Sequence, residues 1–241
     1  MPCQRKTRPQ ASDLFSEAKT GWKGRFELLD LLFEDQRVLR LCHDTIFLTV
    51  SIIDRYVSKK AVPWKSLELC YGVCLLISSK YIERRDMIPT LQQKGWLLYG
   101  AVHQDVLLLE RDILKTLEYL VGRPLLTEFV WMELLGEERT KQIEDMVIYI
   151  CKLTLFDPGL IQIPSHIVAR SAAAAARLAL RLSPRPIPTT EVYYETVWQV
   201  LFRLFRGLER PPRELFAEYS RPDNSSVALI LHGCLLDFAA A

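Results

Sequence analysis

Lys80 and Glu110 are charged residues set among oily ones. On a helix, the neighbours of a residue stand three and four positions away. For Glu110 these are Val106, Leu107, Ile113 and Leu114, all apolar, while Asp105, Arg111, Asp112, Lys115 and Glu118 take the other side. An unpaired carboxylate in such a stripe would be costly. Lys80 follows Val73, Leu76 and Ile77 within "LLISSKYIER" (75–84), at a helix end where the dipole favours a cation. Two chemistries fit. The pair is a half-buried salt bridge serving the fold alone, or it is a set of placed charges on an apolar surface that another chain meets.

Arg25 and Asp54 share this character. Trp22, Leu28 and Leu29 flank Arg25, and Val50 and Val57 flank Asp54. A buried ion pair joining the first two helices accounts for both, and breaking such a pair costs about 3–5 kcal/mol. Cys70 and Cys74 are one helical turn apart, a spacing that metal ligands sometimes use. With no second Cys or His pair nearby, they read as core residues, and the six cysteines read as free thiols. His43, His103, His166 and His232 are scattered without ligand spacing and read as surface or helix-end residues. No metal, cofactor or catalytic group is expected.

The elements that must carry these residues are helices. Apolar residues recur at three- and four-residue intervals over 24–34, and similar patterns predict helices at 44–58, 65–83, 103–119 and 127–135. The run "LCYGVCLLI" (69–77) is apolar all round and belongs at a helical centre. At about 13 Å it is too short to span a bilayer. Further helices are predicted at 143–156, 164–182 (with the alanine run Ala172–Ala176), 191–208, 212–220 and 225–238, with a loop at 184–190. The fold class is all-α: an arm at 1–23, a first domain at 24–137 and a second at 138–241, divided in the charged link "GEERTKQ" (136–142).

A chain of 241 residues with 49% hydrophobic and 25% charged residues is of globular composition. Its net charge of +2 supplies no field for nucleic acid or membrane partners. Residues 1–15 lack the apolar core of a signal peptide, so the chain is expected to stay inside the cell.

Taken in order, these pieces resemble the cyclin family. Arg25, "IIDRYVS" (52–58), "LLISSKY" (75–81) and "LERDILKTLEY" (109–119) follow the first cyclin box. "IPSHIVARSAAAAARLAL" is similar to the Pro-Ser-x-x-Ala-Ala-Ala helix of the second box. The resemblance covers about 25–236 and implies two tandem five-helix boxes, the first of which binds a kinase. It implies that Lys80 and Glu110 hydrogen-bond backbone groups of a cyclin-dependent kinase, with Tyr81, Leu114 and Tyr119 as apolar contacts beside them. The implied function is regulatory: the chain activates the kinase and controls cell-cycle progression, in nucleus and cytoplasm. It carries no catalysis of its own.

One departure from the family lies in the substrate-docking patch, read in many cell-cycle cyclins as Met-Arg-Ala-Ile-Leu-x-x-Trp. Here Gly24 stands for the methionine, Glu27 for the isoleucine and Leu31 for the tryptophan, with Leu28 retained. The second strip falls on Leu67 and Glu68. Docking of kinase substrates or inhibitors by hydrophobic motifs is therefore expected to be degraded. Of the subclasses, a fungal G1-type cyclin is the nearest in pattern.

Two other functions are compatible with an all-α chain. A cyclin-fold transcription factor would bind DNA and polymerase, usually with a zinc ribbon and a basic face. No Cys-x-x-Cys precedes residue 24, and the one basic cluster, "RLFRGLERPPR" (203–213), sets four Arg against one Glu. An all-α enzyme would need convergent polar groups, and the sequence shows no Gly-rich phosphate loop, metal cluster or nucleophile–base spacing.

Overall fold

A computed structural model describes residues 21–89, 102–135, 140–157, 159–160, 163–182 and 212–240. The expected helix 191–208, the loop 184–190, most of the arm 1–23, most of the Arg-rich stretch 203–213 and most of the link 136–142 lie outside the described residues. Among the described residues the chain is all-α, with nine α-helices, one 3-10 turn and no strand. None of these helices is long and apolar enough to cross a membrane.

The chain divides into two compact units, 1–125 and 126–241. The first holds α1 (Gly21–Leu39), α2 (His43–Val57), α3 (Trp64–Ile82) and α4 (His103–Thr116). α1 runs beyond the expected 24–34 and stops where Arg40 takes a left-handed backbone (φ 55°), letting the Leu41 amide cap the Gln36 carbonyl at 3.0 Å. α3 begins directly after Pro63, which cannot extend a helix backwards. Every residue from Cys70 to Ser79 is buried, as an all-round apolar helix requires. α3 packs on α2, and Val73, Cys74 and Leu75 of the one and Ile46, Leu48, Ile52 and Ile53 of the other are all fully buried. Each such aliphatic side chain contributes about 1.5–3 kcal/mol by leaving water. Burial also raises the Cys70 thiol to about 12.

The second unit holds α5 (Leu126–Glu133), α6 (Lys141–Thr154), α7 (Ser165–Ala179), α8 (Arg213–Tyr219), a 3-10 turn (Pro222–Asn224) and α9 (Val227–Ala240). α6 is its central helix, buried without interruption from Met146 to Thr154. Ala172, Ala173, Ala175, Ala176 and Ala179 of α7 are all buried, and their small size lets α5 and α6 approach closely. The sequence pattern assigns α5 to the first domain, since the polar break follows it. It packs on α7 and α6 instead, burying Phe129 and Val130, so the division falls after Leu125 rather than near residue 137.

Candidate functional site

The C-terminal turn of α3 and the length of α4 bring the first pair of charges together. Val106 and Ile113, with Leu117 at the C-cap, form the inward stripe of α4, and Glu110 stands between them with a side chain 13% exposed. Lys80, in the last turn of α3 with a side chain 47% exposed, places Nζ 2.6 Å from Glu110 Oε1. The pair is thus formed within the chain and reachable from outside it. An ion pair this open to water contributes about 0–1 kcal/mol, too little to be a main support of the fold.

Its surroundings are apolar and exposed. Tyr81 beside Lys80 is 59% exposed and Tyr119 is 63% exposed. Leu107 and Leu108 are also exposed, and Leu114 is half-buried. Large apolar side chains left in water on two adjacent helices mark an interaction surface.

Three clamps hold the frame behind this surface. Arg25 Nη2 donates to Asp54 Oδ2 at 3.0 Å, and Nη1 donates to Oδ1, joining α1 to α2 in the core. The Glu83 carboxylate accepts from the Cys42 amide (2.8 Å) and the Thr45 hydroxyl (2.5 Å), tying the end of α3 to the first turn of α2. Asp112 accepts from the Tyr56 hydroxyl and from Lys60 Nζ, both at 2.6 Å, tying α2 to α4. The hydrogen bonds from Lys60 and Tyr56 hold the Asp112 carboxyl below its ordinary range.

Sequence reasoning missed the last two clamps, and it gave no task to Arg55. Arg55 is buried, and its Nη1 and Nη2 reach the carbonyls of Leu120 (2.7 Å) and Val121 (3.2 Å). Its place in "IIDRYVS" was the available signal.

The expected docking patch is corrected in part. Gly24, Leu28 and Leu67 are buried in the helical core, Leu31 is half-buried, and Glu27 and Glu68 are exposed. Buried Leu28 and Leu67 serve the packing of α1 and α3, which leaves one half-buried leucine and two acids accessible. Among the described residues, no group of three or more His, Cys, Asp or Glu is placed to hold a metal ion.

Comparison with known proteins adds to this geometry. Residues 3–122 match the family profile of the cyclin N-terminal domain. The chain is 31% identical over 165 residues to Cyclin-A3-1 of Oryza sativa subsp. japonica, covering 66% of this chain and 44% of that protein. It is 29% identical over 228 residues to Cyclin-B1-2 of Arabidopsis thaliana, covering 91% of this chain and 51% of that protein. It is 27% identical to the G1/S-specific cyclin CCN1 of Candida albicans, covering 68% of this chain and 27% of that protein. The chain therefore spans about half or less of the length of these relatives. They include A-, B- and G1/S-type proteins, so the likeness favours no subclass. In fold, the chain resembles a viral cyclin from herpesvirus saimiri, with a TM-score of 0.69, 19% identity, and coverage of 82% of this chain and 91% of that one.

Proposed function

The chain belongs to the cyclin family, and on that premise we propose that it is a regulatory subunit that binds and activates a cyclin-dependent serine/threonine kinase in the cell cycle. The observation that carries this reading is the Lys80–Glu110 pair, already formed and still accessible among exposed tyrosines and leucines. Aliphatic and aromatic area supplies affinity, while placed charges orient the partner. When a kinase backbone segment arrives, Lys80 offers N–H donors and Glu110 offers carboxylate acceptors. Tyr81, Leu114 and Tyr119 cover the contact and exclude water.

Activation follows from differential binding. A kinase is competent when its Lys–Glu pair and its Mg²⁺-binding Asp are in place. A subunit that binds only that arrangement raises its population by as much as it prefers it. ATP, Mg²⁺ and the transferred phosphoryl group belong to the kinase, and this chain acts by contact alone. Residence in nucleus and cytoplasm is part of the same proposal.

The test is titration of the purified chain into a monomeric cyclin-dependent kinase, followed by peptide phosphorylation. Saturable activation at one chain per kinase is expected. No binding to any kinase of that class, by calorimetry or pulldown, would reject the reading.

A further inference from the structure

The segment that follows α4 has a backbone its residues do not favour. Glu118 and Tyr119 are both left-handed, with φ of 55° and 58°. Side chains resist that region, and two such residues in succession persist only where the surroundings hold them. Glu118 closes α4 at the position where glycine is usual: its amide bonds Lys115 O at 3.0 Å, and the Tyr119 amide bonds Leu114 O at 2.8 Å. The Val121 amide then turns back to Tyr119 O at 3.0 Å.

Two contacts hold this turn. From inside, the buried Arg55 spans the carbonyls of Leu120 and Val121, and its Nε donates to Ser51 O at 3.1 Å, fixing the guanidinium to its own helix. Burial, with the like charge of Arg123, lowers its pKa to about 10, so it remains a cation at neutral pH. From outside, the Tyr81 ring lies against Gly122. A methyl added there would overlap the tyrosine hydroxyl and stand 2.8 Å from Cζ. The outcome is that Tyr119 and Leu120 are presented to solvent, 63% and 62% exposed.

We propose that the 118–122 loop is a preset docking element, held from within by Arg55 and from without by the Tyr81–Gly122 contact, and that Arg55 is a positioning residue for the kinase interface. This rests on the kinase-binding reading. A loop ordered before the encounter avoids an ordering cost on binding, which is where its affinity arises.

Arg55→Lys keeps the charge but loses the rigid guanidinium fork, whose three nitrogens hold Ser51, Leu120 and Val121 at once. In that variant, hydrogen exchange at the Tyr119 and Val121 amides should rise about tenfold or more, and kinase affinity should fall about tenfold, with unchanged far-UV circular dichroism. Adding Glu118→Gly, which adopts the left-handed backbone freely, should recover much of that affinity, a rescue that general loosening of the fold would not allow. Unchanged exchange, or affinity equal to that of the unaltered chain, overturns the proposal. Should Arg55→Lys fail to fold, Gly122→Ala at an exposed position decides: displacing Tyr81 should weaken kinase binding several-fold at constant melting temperature, and unchanged affinity overturns the proposal. The exchange measurement needs no kinase. An unaltered chain that binds no kinase, yet loses protection at 119 and 121 in Arg55→Lys, rejects the regulatory reading and the docking role while leaving the hold of Arg55 on the loop in place.

Discussion

Arg25 and Asp54, 29 positions apart, meet as a two-pronged ion pair inside the first unit, the arginine side chain only 1% exposed. Burial works against the charged guanidinium, but Asp54 and Tyr71 together outweigh it and the Arg25 pKa is raised. Asp54→Asn keeps the shape and removes the countercharge. It should destabilise the first unit by about 3–5 kcal/mol, because a buried cation is left uncompensated. Urea unfolding measures this, and a loss below about 1 kcal/mol, the scale of an exposed pair, would show that the pair carries little of the fold.

Lys152 makes a pH-dependent prediction in the second unit. It is fully buried on α6, with Nζ 3.8 Å from Glu218 Oε1 and 4.8 Å from the centre of the Tyr219 ring. Burial pushes its pKa down to about 8, with Glu218 opposing. An unfolded lysine titrates at about 10.4, so the folded value is the lower one. Below about 8 the ammonium is charged in both states and its burial penalty is complete. As pH rises toward the unfolded value, the folded state sheds the proton first and the penalty is relieved. The unfolding free energy of Lys152→Met minus that of the unaltered chain should therefore fall as pH rises from about 8 to about 10. A difference that stays flat over that range would contradict the buried-ammonium account.

What could be read from the sequence was decided within single helices. Glu110 among apolar neighbours, the all-round apolar run in α3 and the stripes carrying Arg25 and Asp54 are matters of helical period, and the structure has these residues buried or paired. What faces a helix from afar is not encoded in its own spacing. The helical period puts Asp112 on the solvent side of α4, yet it takes Tyr56 and Lys60 from 56 and 52 positions away. Arg55 reaches carbonyls 65 and 66 positions on. The division into compact units departs from the charged link for a related reason. Gly136 and the charges after it announce a break in the chain, but the alanine face of α7 that receives α5 lies 30 or more positions further on.

The docking patch gives a gain-of-function prediction. Leu31 is half-buried between α1 positions that pack inward, and Glu27 and Glu68 are exposed. Hydrophobic-motif peptides should bind weakly, with a preference for Lys- or Arg-rich flanks that fades as salt rises. Glu27→Ile with Leu31→Trp restores an aromatic anchor and removes a charge, and should raise affinity for an Arg-x-Leu peptide about tenfold. Unchanged affinity by calorimetry would mean that substrates dock elsewhere on the chain.

The central claim is that Lys80 and Glu110 exist to be met by a kinase, and one double variant tests it. Their ion pair is open to water and supplies little stability, so Lys80→Ala with Glu110→Ala should keep the helical circular dichroism and melt within a few degrees of the unaltered chain. Kinase activation in a titration should fall on the order of 100-fold or more, because two oriented contacts at the centre of the interface are lost. A folded double variant that activates the kinase as well as the unaltered chain would contradict the account.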